Sequence, residues 1–444
     1  MEIKDIIHGS IVVEPGEADV VDSPFFQRLR LIKQLGFSEY SYPSASHSRF
    51  IHSLGAMHVA TRAFDQIAGD RMPSADRRRL RSVVRMAALL HDCGHGPLSH
   101  TTEFAMPQVS ELRIPGRAAE NRQANHEDYT IKMILDSGLT RILERSGSEQ
   151  GWTARHVAAL IDRSLRLTAE EESFFLAPWE GQSTSFLPLI QQLISSELDA
   201  DRMDYLRRDS TYAGVSYGHF DLDWLLASLI ACVVHDPRSG KQVPQAFLAV
   251  RQRALYTVED FLLSRYHMFL MVYFHHTGVA YDEMLGRYLS DPSCTYKLPA
   301  DIDAYVHCHD SQLFDHLRNS DGVWARRIVE RKPFRLLYEH HALATDSIDP
   351  LLDRLVAYLK KEQIPSLLST SKSELSKYFR KPDLPIYVRM RNYLTDDTFR
   401  PLQDCSDLFE KYQEERWIQR VYIDEQDVER VRSWVRRPST SLIP

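Results

Sequence analysis

The spacing of apolar residues predicts α-helices through most of the first 290 residues. Leu80, Val83, Val84, Ala87 and Leu90 recur at intervals of three and four, which is the repeat of a helix that buries one face. Two further stretches have the same helical character: 190–198 and 261–284. These patterns predict a mainly α-helical core.

Two stretches that contain proline and glycine interrupt the helical pattern at 106–125 and 178–188. Both are predicted to be loops, since these residues break helices and favour turns. The first loop is expected to lie over or beside a functional site.

The character of the chain changes after about residue 290, where prolines separate shorter segments. Segments 385–389 and 417–423 are rich in β-branched and aromatic residues, which favours strands. We therefore predict two parts: an α-helical core over 1–290 with a helical extension to about 324, and a smaller C-terminal α+β domain over 325–444 that makes oligomer contacts.

Composition and charge exclude some classes of protein. The formal net charge is −7 with neutral histidines, which argues against a protein that coats nucleic acid but allows a local basic site. The arginines between Arg71 and Arg85 are interpreted as a solvated helix face in preference to an anion site. The five cysteines are scattered without a CxxC pair, so a disulfide framework or zinc ribbon is not expected, and Cys93 is interpreted as a packing residue.

The sequence gives no sign of membrane insertion or export. Its apolar runs fall short of the roughly 20 residues that a spanning helix needs. Met1–Asp5 lacks the basic-then-apolar plan of a signal peptide. We therefore expect a cytoplasmic protein without membrane contact.

The pair His91-Asp92 is the first candidate for chemistry. A predicted helix reaches His91 on its inward stripe and then meets Gly94 and Gly96. Imidazole nitrogen and carboxylate oxygen suit a divalent ion such as manganese, magnesium, iron, zinc or nickel. Taken alone, the pair is weak evidence for a metal site, since an inward histidine is more often a hydrogen-bonded core residue.

Two adjacent residues cannot fill a coordination sphere, so further ligands are expected elsewhere. His52 lies among apolar neighbours on a predicted helix, and Asp201 continues the inward stripe of 194–205 at intervals of four, three and four. An inward carboxylate is costly unless it is paired or binds metal. Asp199 and Asp204 fall off that stripe and are expected to face solvent.

Four motifs in the sequence resemble those of the HD-domain phosphohydrolase superfamily, and within it the branch of deoxynucleoside triphosphate triphosphohydrolases. The resemblance is strong up to about residue 290 and weaker beyond it. The motifs are 5–9, 26–36, 42–55 and 91–100.

The resemblance implies roles for residues at the matching positions. The implied metal ligands are His52, His91, Asp92 and Asp201. The implied catalytic residues are His95, His100, His126 and Glu103, the last at a position where aspartate is common. The implied substrate-binding residues are Gln34, Leu35, Arg49, Arg202, Tyr205, Asp209, Arg265, Tyr273, His275 and Asp282. A regulatory nucleotide site is implied at Asp22, Gln27 and Arg30.

Some implied roles have alternatives. Arg202 also fits a helix-surface ion pair with Asp201 or Asp204, and Arg265 fits a stacking or core role beside aromatic residues. His276 stands where the family typically has lysine, which weakens one cationic contact at neutral pH.

The activity that the resemblance implies is attack of water on the α-phosphorus of a deoxynucleoside triphosphate (dNTP), releasing a nucleoside and inorganic triphosphate. An HD nuclease or a nucleotide phosphomonoesterase would use the same residues. A catalytically inert nucleotide-sensing scaffold is a third alternative, although inert members typically lose a ligand. The implied partners are the dNTP, an activating nucleotide, single-stranded nucleic acid and further copies of the chain in a dimer or tetramer.

Overall fold

The structure is a computed structural model. It describes the following parts of the chain: 1–117, 120–235, 243–343, 345–346, 349–373, 384–408 and 415–436. The fold is mainly α-helical with small sheets, as the sequence predicts.

The helices of the predicted core form one continuous hydrophobic interior. They are α1 (Pro15–Val21), α2 (Pro24–Gln27), α3 (Arg49–Ala68), α4 (Ser74–Leu90), α5 (Val109–Leu112), α6 (His126–Leu135), α7 (Gly138–Gly147), α8 (Ala154–Ile161), α9 (Ala169–Ser173), α10 (Leu187–Ile194), α11 (Ala200–Ala213), α12 (Leu222–Ala227), α13 (Leu255–Met268) and α14 (His276–Leu289). The described residues beyond these include the helices α15 (Ile302–Tyr305), α16 (Asp310–Arg318), α17 (Val323–Val329), α18 (Pro350–Lys361) and α19 (Val428–Val435). Within the described ranges, no helix combines the length and apolar character needed to cross a membrane.

Helix α3 lies at the centre of the core, packed against both α4 and α11. Its small residues allow the close approach to α11. A Cβ atom at Gly55 would lie 2.0 Å from Oδ1 of Asp204 and 2.4 Å from Nη2 of Arg208, so only glycine fits there. This packing sets the ends of α4 and α11 beside the first turns of α3.

Strands form three separate sheets. The strands are β1 (Glu2–Asp5), β2 (Gly9–Val12), β3 (Leu176–Trp179), β4 (Gln182–Ser185), β5 (Leu229–Val234), β6 (Gln245–Arg251), β7 (Arg335–Leu343), β8 (Ser366–Ser373), β9 (Tyr387–Met390), β10 (Thr398–Pro401) and β11 (Arg416–Ile423). β1 and β2 form an N-terminal antiparallel hairpin. The second sheet has the order β10-β9-β6-β4-β3 with β5 also paired to β6, and the third has the order β7-β11-β8.

The C-terminal strands divide between two sheets. β9 pairs in parallel with β6 of the core, with Ala249 opposite Tyr387. β11 pairs antiparallel with both β7 and β8, and this sheet packs with α18 and α19 around a small core of its own. The division of the chain near residue 325 stays a prediction.

Three local predictions differ from the structure. The predicted loop 178–188 contains the hairpin of β3 and β4 and the first turn of α10. The predicted long helix 261–284 is two helices, because a π-helical turn at Phe269–Tyr273 and the cap at His275 separate α13 from α14. The inward stripe over 194–205 crosses a break, since α10 ends at Ile194 and α11 begins at Ala200.

The arginine-rich stretch is only partly a solvated face. Arg78 is exposed, as expected. Arg85 is buried and donates through Nη2 to Glu17 at 2.7 Å and to Val12 O at 2.7 Å. The expectation is wrong for Arg85, because this side chain ties α4 to α1 and β2.

Candidate metal centre

Three helices bring the four predicted metal ligands to one point. His52 lies in the first turn of α3, His91 caps the C-terminal end of α4 and is followed by Asp92, and Asp201 lies in the first turn of α11. Nε2 of His52 lies 3.0 Å from Oδ1 of Asp201 and 3.5 Å from Oδ2 of Asp92. Nε2 of His91 lies 3.5 Å from one oxygen of each aspartate. The four side chains therefore converge.

The hydrogen bonds of the two histidines fit a metal ion. Nδ1 of His52 donates to Asp204 at 2.8 Å, and Nδ1 of His91 donates to Ala88 O at 2.8 Å. Their Nε2 atoms are buried and have no hydrogen-bond partner among the described residues. In metal sites, a second partner on one ring nitrogen typically fixes the lone pair of the other toward the ion. Carboxylates and imidazoles together suit a divalent cation.

Electrostatics hold the cluster together when metal is absent. Burial lowers the pKa of both histidines, but the neighbouring aspartates outweigh it and raise the pKa of His52 to about 10 and of His91 to about 9. Burial raises the pKa of Asp92 and Asp201, yet the neighbouring cationic groups hold both well below the ordinary range. The four side chains therefore form a cluster in which each carboxylate favours a positive charge beside it.

A second cluster adjoins the first and contains the predicted catalytic residues. The rings of His95 and His126 stack at 3.8 Å, and Nε2 of His95 lies 3.3 Å from Oδ1 of Asp92. Glu103 accepts from Nδ1 of His126 at 2.6 Å and from Nδ1 of His100 at 3.2 Å. The ligand atoms of these four residues lie close enough to hold a metal ion, as do those of His52, His91 and Asp201.

The members of the second cluster differ in exposure and charge. His95 is buried, and burial together with Arg49 and His126 holds its pKa well below the ordinary value, so its ring is neutral. The side chain of His100 is 67% exposed. Burial raises the pKa of Glu103, but the hydrogen bonds from the two histidines outweigh burial, so the net effect is a lowered pKa. The glutamate, longer than the common aspartate, reaches both rings.

Gly94, within the motif 91–100, allows two helices to approach closely. A Cβ atom there would lie 2.2 Å from His126 O and 2.3 Å from Thr130 N. The glycine thus lets the start of α6 approach the end of α4. His126 reaches His95 as a result.

Cationic side chains surround the two clusters. Arg49 is buried, forms an ion pair with Asp92 and donates through Nε to Ser99 at 2.8 Å. Arg202 and Arg265 both reach Oε2 of Glu197, at 2.9 and 2.8 Å. The helix-surface pairing considered for Arg202 is wrong, because its nearest carboxylates belong to Glu197 and Asp199.

Several of the predicted substrate-binding residues form a hydrogen-bonded face. Asp209 accepts from Tyr273 at 2.8 Å and from Nε2 of His47 at 2.8 Å. The rings of Tyr205 and Tyr273 lie 6.2 Å apart. Ser41 donates to Nδ1 of His275 at 2.9 Å.

Gln34 and Leu35 lie in the segment before α3. Oε1 of Gln34 is buried without a hydrogen-bond partner in the described part of the chain. Leu35 is half-buried and packs against the main core. The orphaned oxygen leaves Gln34 able to accept a hydrogen bond from a ligand.

Asp282 gives a pH-dependent prediction. Its carboxylate accepts from Thr101 at 2.8 Å, and burial raises its pKa to about 6 despite this hydrogen bond. Since the folded state holds the proton more tightly than the unfolded state, the stability that this group contributes is present below about pH 4 and lost as pH rises through about 6. Asp282→Asn should therefore gain stability relative to wild type as pH rises from about 4 to about 6 in denaturant melts.

A surface aspartate supplies the control for this measurement. The ion pair with Arg62 lowers the pKa of Asp223, so Asp223→Asn should show no such gain as pH rises. Parallel pH profiles for Asp282→Asn and wild type would contradict the burial argument.

Two expectations about α11 are wrong. Asp199 and Asp204 are buried, although both were expected to face solvent. Because α11 starts at Ala200, Asp199 is its N-cap and accepts from Arg202 N at 2.8 Å. Asp204 turns toward α3 and binds His52. Burial raises the pKa of Asp199 to about 7.

Sequence reasoning missed several residues that support the site. They are His8, His47, Glu197, Asp204 and Arg208. Of these, His8 and His47 carried a signal, since they lie in the recognised motifs 5–9 and 42–55. The others gain their partners through contacts between elements that are distant in sequence.

The predicted regulatory residues lie together at the surface. Nε2 of Gln27 donates to Val21 O at 2.8 Å, and Nε of Arg30 donates to Oε1 of Gln27 at 2.8 Å. Asp22 and Arg30 are exposed, and the Arg30 guanidinium lies 3.5 Å from the centre of the Phe50 ring. A nucleotide site here stays a prediction.

Comparison with family models agrees with this geometry. The HD domain matches residues 49–209, which include all four converging residues, and the HD associated region matches residues 241–366. The chain therefore belongs to the HD-domain phosphohydrolase superfamily.

Similar proteins include characterised and uncharacterised relatives. The uncharacterised protein YwfO of Bacillus subtilis is 34% identical over 258 residues, which are 58% of this chain and 47% of YwfO. A deoxynucleoside triphosphate triphosphohydrolase SAMHD1 homolog of Dictyostelium discoideum is 26% identical over 369 residues, 81% of this chain and 64% of that protein. Human SAMHD1 is 27% identical over 360 residues, 76% and 54% of the two chains. The matched region thus spans about half to two thirds of these relatives.

Solved structures share the fold. A hypothetical protein from Aquifex aeolicus has a TM-score of 0.71 at 26% identity, covering 98% of this chain and 100% of that one. A phosphohydrolase from Bacteroides thetaiotaomicron has a TM-score of 0.63 at 21% identity, covering 95% and 99%.

Proposed function

We propose that this chain is a metal-dependent phosphohydrolase that converts dNTPs into deoxynucleosides and inorganic triphosphate. The observation that carries the proposal is that the buried Nε2 atoms of His52 and His91, which have no hydrogen-bond partner within the described ranges, converge on Asp92 and Asp201. The choice of dNTP is supported by the relatives named deoxynucleoside triphosphate triphosphohydrolase.

The two clusters divide the chemistry between them. A divalent ion held by the four metal-type side chains would neutralise phosphate charge and lower the pKa of a water molecule. In the reaction, the water oxygen adds to the α-phosphorus and the bond from phosphorus to O5′ breaks. The nucleoside leaves once O5′ receives a proton.

We assign delivery of that proton to His100. Its ring is exposed enough to reach a substrate, and Glu103 holds its Nδ1, which leaves Nε2 free to carry a proton toward O5′. Histidine is the side chain that most often transfers such a proton in enzymes. His126, which shares Glu103, supports the same carboxylate.

Three arginines would bind the phosphate oxygens. A guanidinium group offers a planar fork that matches phosphate geometry. Arg49 lies beside Asp92, so it reaches a phosphate near the metal ligands. Arg202 and Arg265 are aligned by their shared partner Glu197, which also offsets part of their mutual repulsion. The deoxyribose would contact Gln34, Leu35 and the face of Tyr273 and Asp282.

Product analysis tests this proposal. Purified protein is incubated with each dNTP, with ribonucleoside triphosphates, with single-stranded DNA and with a generic phosphomonoester, in Mn²⁺ or Mg²⁺, and the products are separated by chromatography. We expect inorganic triphosphate and deoxynucleoside from dNTPs. Products only from DNA would make the chain an HD nuclease, and products only from the monoester would make it a phosphomonoesterase; either result overturns the dNTP proposal. Binding of dNTPs without turnover would favour the inert sensor.

Regulation by a nucleotide at Asp22, Gln27 and Arg30 forms part of the proposal, together with a homo-oligomer assembled through the C-terminal domain. Native mass spectrometry with and without GTP or dNTPs should show a nucleotide-dependent increase in assembly, accompanied by a faster rate. Arg30→Ala should remove the increase. An unchanged assembly and rate in wild type would contradict this part of the proposal.

A further inference from the structure

Asp204 lies behind His52, one of the four predicted metal ligands, and is completely buried. Its Oδ2 accepts from Nδ1 of His52 at 2.8 Å and from Nε of Arg208 at 2.8 Å. Its Oδ1 accepts from Nε2 of His8 at 2.6 Å and from Nη2 of Arg208 at 2.9 Å. Four donors thus surround one carboxylate.

This arrangement fixes the tautomer of His52. A carboxylate that receives four N–H groups has no place for a proton of its own, and an ionised carboxylate only accepts hydrogen bonds. Nδ1 of His52 therefore carries the hydrogen. In a neutral ring, Nε2 then presents its lone pair, and this atom faces Asp92 and Asp201.

The support continues to the N-terminal hairpin. Nη1 of Arg208 donates to Oδ2 of Asp5 at 2.8 Å. Asp5 also accepts from the backbone N–H groups of Ile7 and His8, at 2.9 Å each, within the turn between β1 and β2. His8 is thereby held by the turn while its ring reaches Asp204. The hairpin therefore supplies two of the groups that hold the carboxylate.

We infer that Asp204, clamped by Arg208 and by His8 of the N-terminal hairpin, is a positioning residue that fixes the ring of His52 for metal binding. This inference rests on the metal site proposed above. It gives the hairpin a function, because His8 donates to Asp204 and Asp204 in turn accepts from the ring of the proposed metal ligand His52. It also explains Gly55, the only residue type that leaves room for Asp204 and Arg208 against α3.

The test measures metal affinity of the full chain directly. Co²⁺ is titrated against a competing chelator, and the visible absorption of bound Co²⁺ reports the geometry of its ligands. Asp204→Asn keeps the size of the side chain but places an amide where the carboxylate accepts. We expect an affinity about 10–100-fold below wild type and an altered absorption spectrum.

The control is a buried carboxylate of the same kind in another place. Glu17 is buried and pairs with the buried Arg85, away from the four metal-type residues. Glu17→Gln should therefore bind Co²⁺ with wild-type affinity and spectrum. Wild-type affinity in Asp204→Asn, or an equal loss in Glu17→Gln, would overturn the positioning role.

A second variant decides if Asp204→Asn does not fold. His8→Phe keeps an aromatic ring and removes one donor to Asp204, so it should lower Co²⁺ affinity by a smaller factor, and unchanged affinity would overturn the role. Asp92→Ala distinguishes failure of the metal site itself from failure of the positioning role of Asp204. If Asp92→Ala binds Co²⁺ as wild type does, the metal site fails as a whole; if only Asp92→Ala loses affinity, the positioning role alone fails.

Discussion

Replacing Asp92 with alanine should lower the rate of dNTP hydrolysis by at least about 10³-fold, because stabilisation of transition-state charge by a bound metal contributes several kcal/mol. Asp92 lies at the junction of the site, next to Nε2 of both His52 and His91, paired with Arg49 and 3.3 Å from Nε2 of His95. Its loss should release the metal ion and also free Arg49. The measurement is triphosphate release together with metal content per chain.

Two comparisons make this prediction specific. Asp92→Asn keeps the volume of the side chain and should lose activity to a similar degree. Asp223→Ala, at an exposed aspartate on α12, should keep wild-type activity and metal content. An Asp92→Ala protein that releases triphosphate at even a tenth of the wild-type rate would contradict the assignment.

Replacing Gly55 with alanine should destabilise the fold by about 3 kcal/mol, because the added methyl group meets a buried ion pair. The Cβ atom would lie 2.0 Å from Asp204 and 2.4 Å from Arg208. Both side chains are completely buried, so neither can swing away into solvent. Urea denaturation with the variant and wild type measures the effect.

The matched control is a glycine in another helix. At Gly286, within α14, a Cβ atom would make an ordinary contact with Phe104 at 3.9 Å. Alanine favours a helix interior by about 0.5–1 kcal/mol over glycine, so Gly286→Ala should be neutral or stabilising. A free energy of unfolding in Gly55→Ala equal to that of wild type would show that α3 and α11 can separate without cost.

The sequence predicts the parts of this protein that depend on local pattern. Apolar spacing identifies α4 through Leu80, Val84 and Ala87, and the strand at 417–423 follows from its β-branched and aromatic content. The family resemblance assigns His52, His91, Asp92 and Asp201, which do converge in the structure. Membership in the superfamily, inferred from four short motifs, is confirmed by the matching domain models.

The parts that escaped prediction depend on contacts between distant segments. If one helix is assumed over 194–205, its register predicts that Asp204 faces solvent. Nothing in the local sequence reveals that α10 ends at Ile194. The partner Arg208 lies one helical turn away at i+4, but the partners His8 and His52 come from distant segments that no periodicity links to Asp204. The role of Glu197 was likewise unpredictable from its local sequence, because its partner Arg265 lies 68 residues away.

The β-structure of the core was missed for a related reason. β3 and β4 are short, and their proline and glycine residues indicate a loop to any local reading. They pair with each other as a hairpin and join β6 only through Ser185 and Gln245, and β6 in turn pairs with β9, more than 130 residues later. Such pairing has no signature within either segment.

Hydrolysis of dGTP in H₂¹⁸O with Mn²⁺-loaded protein tests the proposed triphosphohydrolase activity. We expect metal-dependent release of deoxyguanosine without label and inorganic triphosphate carrying one ¹⁸O atom, because water attacks the α-phosphorus and O5′ leaves with the nucleoside. Formation of deoxyguanosine monophosphate and pyrophosphate would contradict this activity, and so would ¹⁸O in the nucleoside. A failure to detect hydrolysis that stops when a chelator removes the metal would contradict it as well.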